Sequence, residues 1–226
     1  MDRKSQAYSY LQKLESYLIE NTLEAEQMRQ RVAELQSDSG NPHKIRENIF
    51  LYEILPAISQ HMQTVTGIDA KGARDALACE YHRNVPGLSA GNGFRAVGHP
   101  FSKQIGESYD KIFNRWIRPE SAFPINQVYP DLAFRRPFPY KIVFDAKYFV
   151  ENSEAAAKKA LVSGAYEAAF YRGLPQDQTS DLGWDYEFGC LLAYDASLDG
   201  VLKKIWTSVS QKNEFWNGAN VYMMII

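Results

Sequence analysis

Asp131, Asp145 and Lys147 are the residues of this 226-residue chain whose types and spacing best suit chemistry. The last two lie in Lys141-Ile142-Val143-Phe144-Asp145-Ala146-Lys147-Tyr148-Phe149, whose apolar flanks predict a buried β-strand. Strand side chains alternate, so Val143, Asp145, Lys147 and Phe149 share one face, and Ile142, Phe144, Ala146 and Tyr148 the other. Burying ionised groups costs roughly several kcal/mol each, so two charges on one side of such a strand need a purpose. Upstream, residues 126–134 form a second β-rich run, after which Arg135-Arg136-Pro137-Phe138-Pro139 favours reversal over continued pairing. A hairpin turning about Phe138 sets Asp131 opposite Asp145. Directly paired Cβ atoms stand roughly 4.5–5.5 Å apart, where like charges repel. A divalent cation between the acids removes the conflict, and carboxylate oxygens suit Mg²⁺ or Mn²⁺.

Pro130-Asp131, followed 14 residues later by Asp145-Ala146-Lys147, resembles the PD-(D/E)xK motif of the restriction-endonuclease-like nuclease superfamily. The resemblance implies that Asp131 and Asp145 bind Mg²⁺, that Ala146 adds its backbone carbonyl, and that Lys147 orients or activates the attacking water. Many members also carry a helix acid ahead of the core sheet that reaches the metal directly or through water; by resemblance Glu47 takes that part. Some branches place Gln-x-x-x-Tyr on the helix after the lysine. Here Glu167 and Tyr171 stand at those positions, Glu in place of Gln, which gives them an accessory role at most. The acid-x-Lys triplet alone is not specific, since Asp2-Arg3-Lys4 and Asp69-Ala70-Lys71 share it. Only Asp145-Ala146-Lys147 lies in a strand pattern at hairpin distance from a Pro-Asp; Asp69 reads as a loop or helix start. The competing reading of Asp145 and Lys147 is a solvated ion pair on a surface hairpin.

The elements that must position these residues follow from periodicity. Ala7, Leu11, Leu14 and Leu18 predict a helix over residues 3–20. Asn21-Thr22-Leu23-Glu24 resembles a capping box restarting a helix to about Leu35. Loop formers at 37–42 then divide an N-terminal helical arm, residues 1–39, from a nuclease-like domain with a single globular core, residues 40–226. The arm is open to packing on the core, pairing with another copy or embracing nucleic acid. From about Lys44 to His61, Phe50, Leu51, Ile54, Leu55 and Ile58 form an apolar helix face with Glu47 near its centre, while Glu53 points elsewhere into solvent. A carboxylate in an apolar face asks for a partner. For Glu47 a neighbouring Arg or Lys at the helix N-terminus is the alternative to a metal.

Residues 72–83 and 107–117 predict further helices, the second with Tyr109, Ile112, Phe113 and Trp116 on related faces. Arg95, His99 and Lys103 are candidates for phosphate contacts. Asn152-Ser153 can cap a helix to about Arg172, ended by Gly173, whose face of Ala157, Leu161, Gly164 and Ala168 allows close approach to a sheet. Runs at 188–196 and 221–226 predict strands around a helix near 202–209. The expected fold is α/β: a restriction-endonuclease-like core, with a central mixed sheet flanked by helices and an N-terminal helical arm.

A hydrophobic content of 45% over this length supports one sizeable core. Net charge of −2 gives no general attraction to nucleic acid, leaving that to a local patch and the metal. Two cysteines, Cys79 and Cys190, make neither a disulfide framework nor a zinc spacing. With no apolar run near the ~20 residues of a membrane span and no signal-peptide stretch, the expected setting is cytoplasmic, away from membranes. The expected function is a Mg²⁺-dependent endonuclease, Mn²⁺ substituting, that hydrolyses DNA phosphodiester bonds. RNA as substrate and a homodimer stay open. The alternative is a silent module of the same fold that binds nucleic acid or protein.

Overall fold

The strands Leu77–Cys79 (β1), Leu132–Phe134 (β2), Ile142–Phe149 (β3), Phe188–Asp195 (β4) and Val221–Ile225 (β5) form one mixed sheet, with neighbours in chain order. The pairs β1–β2 and β2–β3 are antiparallel; β3–β4 and β4–β5 are parallel. This computed structural model describes residues 2–35, 42–79, 131–134, 136–172, 186–209 and 220–226. Arg95, His99, Lys103, Gly173 and the 107–117 segment lie outside them.

Central strands covered on both faces read as continuous apolar runs, and every residue of β4 is buried. On one face, α1 (Arg3–Asn21), α2 (Ala25–Leu35) and α3 (Pro42–Thr66) share a core with Phe144, Ala146, Cys190, Tyr194 and Tyr222. On the other, α5 (Glu154–Arg172) and α6 (Val201–Ser208) pack on Phe149, Leu191, Ala193 and Val221. The architecture is therefore α/β, a mixed sheet between helical layers. Among the described residues, no helix is long and apolar enough to cross a membrane.

The N-terminal helices adopt the first of their open alternatives. Ala7, Tyr10, Leu11, Leu14, Leu18, Met28 and Val32 are buried in the same cluster as the sheet. The hydroxyls of Tyr194 and Tyr222 donate to the Leu23 carbonyl and the Glu15 carboxylate, tying β4 and β5 to this layer. The box that opens α2 lies three residues later than expected: Gln27 Oε1 accepts from the Glu24 N–H at 3.3 Å. α3 extends beyond 44–61 at both ends and buries Phe50, Leu51, Ile54, Leu55 and Ile58 as predicted. Glu53 corrects its solvated assignment, because Arg31 of α2 reaches it at 2.8 Å. A facing helix supplied a partner that periodicity within α3 does not reveal.

Asp69 caps a short helix, α4 (Ala70–Ala76), accepting from Gly72 N–H at 2.6 Å, in accord with a helix start. The helix predicted over 72–83 gives way at Leu77 to β1. Three apolar residues carry no period, so pairing with β2 decides their conformation. Ser153 caps α5, its Oγ accepting from Ala156 N–H at 3.4 Å. The small face of α5 is buried as expected, and two glycines set its approach to the sheet. A Cβ at Gly164 would meet Leu191 Cδ1 at 2.4 Å, and one at Gly189 would meet the Ala168 carbonyl oxygen at 2.1 Å.

Asp195, at the end of β4, is a buried acid with a structural task. Its Oδ1 accepts from Ser197 N–H at 3.1 Å and Ser197 Oγ at 2.5 Å, and its Oδ2 accepts from Lys203 N–H at 2.8 Å within the first turn of α6. Asp195→Ala leaves buried donors unmet, so urea unfolding is expected to show a loss of about 2–3 kcal/mol. A midpoint within error of the parent protein would contradict that role.

Candidate functional site

Leu132↔Phe144 and Ala133↔Val143 pair across β2 and β3, the register of a turn centred on Phe138. The next step of that register sets Asp131 against Asp145. Both acids are buried, with 3% and 2% of their surface exposed, so neither belongs to a solvated surface pair. β2 starts at Leu132, and the side chain just ahead of it reaches across to β3: Asp131 Oδ2 accepts from the Ala146 N–H at 2.7 Å. In an extended strand the N–H and C=O of one residue leave from the same edge, so the Ala146 carbonyl is directed to this end of β2 as well.

Lys147 is half-buried, with its ammonium 3.3 Å from Asp145 Oδ1 and 3.1 Å from Asp145 Oδ2. Oδ2 is buried and meets that ammonium as an ion pair without an aligned hydrogen bond. From α5, Glu167 Oε2 accepts from the same ammonium at 2.8 Å, and Glu167 Oε1 accepts from Ser163 Oγ at 2.9 Å. The α5 helix thus delivers a third carboxylate to the face shared by Asp145 and Lys147. Tyr171, one turn further along, is half-buried with its ring 5.8 Å from that of Phe170.

The charges set each other's protonation. Burial first, and then the Asp131 and Glu167 carboxylates, push the Asp145 carboxyl well above the ordinary range, against the pull of Lys147. Burial alone would lower the Lys147 ammonium, but Asp145, Glu47 and Glu167 outweigh it and hold the group above its usual value. Glu167 behaves in the opposite sense to Asp145. Burial raises it, while hydrogen bonds with Lys147, Asp145 and Ser163 bring it below the ordinary range.

Glu47, half-buried near the start of α3, acts electrostatically on Lys147. The structure therefore gathers Asp131, Asp145, Ala146, Lys147 and Glu167, with Glu47 within electrostatic reach. Ser163 escaped the sequence reading. Its signal was spacing, since residues four apart on a helix are neighbours, and Ser163 precedes Glu167 by four.

The converging donors are hard oxygens: two carboxylates and a strand-edge carbonyl. Among the described residues, no three His, Cys, Asp or Glu side chains already form a metal-holding group. Mg²⁺ does not require one, because it keeps several waters and is held by one or two carboxylates plus substrate phosphates. The buried Oδ2 of Asp145, which lacks an aligned hydrogen bond, fits such an ion, which would coordinate the oxygen and relieve the repulsion with Asp131. Comparison with family models, with curated proteins and with solved structures found no match to this chain.

Proposed function

We propose that this chain is a Mg²⁺-dependent nuclease of restriction-endonuclease-like type that hydrolyses phosphodiester bonds in DNA, with Mn²⁺ able to substitute. One observation carries the reading: Asp131 and Asp145 oppose each other across the β2–β3 register, buried, with Lys147 two residues along the same strand face. The order of elements supports it further, with helices, a hairpin bearing both acids, a helix and a parallel strand.

Asp131, Asp145 and the Ala146 carbonyl would hold the ion, with Glu47 reaching it directly or through water. When bound, the ion lowers the pKa of a coordinated water and neutralises charge developing on the phosphate. Lys147 is an ammonium in these surroundings, so it donates hydrogen bonds and does not accept a proton. Its task is to orient the attacking water and to face the negative charge that grows on the phosphoryl oxygens. Asp145, Glu47 and Glu167 hold Lys147 charged against its burial, and burial of the two aspartates strengthens every interaction among them.

Labelled linear, nicked, single-stranded and branched DNA, incubated with Mg²⁺ or Mn²⁺, tests the proposal. Cleavage is expected with either ion, is expected to stop in EDTA, and is expected to fall about 10²–10³-fold in Lys147→Ala, the cost of losing one preorganised donor. Cleavage that persists in EDTA would overturn the metal role. Calorimetry showing no Mg²⁺ or Mn²⁺ binding at millimolar concentrations would favour a silent binding module. An RNA strand in the same panel assigns the sugar.

A further inference from the structure

Lys147 stands between two carboxylates that are unlike in kind. Asp145 shares its strand and is an acid through which the ion would be held. Glu167 comes from α5, and both its oxygens are engaged: Oε1 by Ser163 at 2.9 Å and Oε2 by Lys147 at 2.8 Å. The Glu167 contact is also the shorter of the lysine's two, against 3.1 and 3.3 Å to Asp145.

This asymmetry matters once Asp145 is taken by a cation. Its oxygens would then face the ion and would no longer hold the ammonium. A lysine side chain has four rotatable carbons and a compact charge, so one that loses its anchor samples many rotamers. Glu167 keeps its grip, because Ser163, one helical turn earlier, fixes the plane of the carboxylate.

Building on the nuclease reading, we propose that Ser163 and Glu167 are positioning residues that hold Lys147 in place when the ion engages Asp145. Glu167 is thereby neither a metal ligand nor a proton donor. Ser163 orients the carboxylate, the carboxylate orients the ammonium, and the ammonium meets the reacting groups. The departure from Gln to Glu at this position acquires a reason, since a full negative charge holds an ammonium more strongly than an amide oxygen does.

Two measurements separate this inference from the activity on which it builds. The first needs no turnover: limiting acetic anhydride on the metal-free protein, read by peptide mass spectrometry with exposed Lys203 as internal standard. Lys147 labelling is expected to rise severalfold in Glu167→Ala and less in Glu167→Gln, and the rise is expected to persist with Mn²⁺ present. Equal labelling of Lys147 in the parent protein and Glu167→Ala with Mn²⁺ present would overturn the proposal.

The second is kinetic. Glu167→Ala is expected to lower kcat by about 10–100-fold, as loss of an indirect partner at a metal site does, with KM and calorimetric Mn²⁺ affinity unchanged and with partial rescue by Glu167→Gln. Ser163→Ala alone is expected to cost about 2–10-fold, the worth of one hydrogen bond, and nothing further when added to Glu167→Ala. Loss of Mn²⁺ affinity in Glu167→Ala would make it a ligand and overturn the inference. Should the parent protein show no metal-dependent cleavage, the nuclease reading fails, and the labelling result still decides whether Glu167 holds the lysine.

Discussion

Asp145→Asn is expected to abolish metal-dependent cleavage and, at neutral pH, to raise the melting temperature. Loss of activity should exceed about 100-fold, because even indirect partners of metal ligands are worth ~10–100-fold. The gain in stability has a separate origin. Burial and the neighbouring Asp131 and Glu167 carboxylates hold the Asp145 carboxyl well above its ordinary range in the folded protein. Between the unfolded value, about 4, and the raised folded value, the native state binds more protons than the unfolded chain. Stability therefore falls as pH rises through that window and stays lowered above it.

An amide of the same shape carries no such penalty. The variant should melt with the parent protein below about pH 4 and above it at pH 7.5. For a chain of this size each kcal/mol shifts the midpoint by roughly 2–4 °C. Millimolar Mg²⁺ should narrow the gap, since an ion that binds only the folded parent protein stabilises that form alone. A variant that melts lower than the parent protein at pH 7.5 would show that Asp145 contributes net stability through Lys147, and would remove the argument for a strained acid.

Gly189→Ala is expected to be the most damaging single methyl in the described fold. Its Cβ would lie 2.1 Å from the carbonyl oxygen and 2.7 Å from the carbonyl carbon of Ala168, backbone atoms near the C-terminal end of α5. A rotamer change cannot relieve that contact, so α5 must lift from the sheet. The expected cost in urea unfolding is about 3 kcal/mol or more, at the upper end for overpacking. Gly164→Ala makes the useful control. Its new methyl meets the Leu191 side chain, which can turn aside, and the loss should be nearer to about 1–2 kcal/mol. Because α5 carries Ser163 and Glu167, any Gly189→Ala protein that folds should also label more readily at Lys147. Near-parental unfolding of Gly189→Ala would contradict the close approach of helix and sheet.

The parts of this molecule that were legible in the sequence are those governed by local rules. Alternation along β3 put Asp145 and Lys147 on one face because the strand period is two, whatever surrounds the strand. The Pro-rich turn fixed a midpoint, and the midpoint fixed the register. Ser153 announced the start of α5 because a capping hydroxyl acts within one helical turn. The parts that were not legible are decided between elements. β1 takes its conformation from β2, and Glu53 finds Arg31 on another helix. Glu167 meets Lys147 only at one rotation of α5 over the sheet, and that rotation follows from contacts at Gly164 and Gly189. A heptad wheel places Glu167 beside the buried face of α5 but does not say which strand residue lies beneath it.

The hydrogen bond from Ala146 N–H to the Asp131 carboxylate has a consequence for the quality of the molecules a cell makes. A one-residue slip between β2 and β3 would turn Asp131 to the opposite side of the sheet and leave that amide unmet. The same slip would part Asp131 from Asp145. Correct pairing and an assembled site are thus one event, enforced by a side chain that takes part in both. A mispaired copy accordingly lacks both the amide contact and the opposed pair of acids.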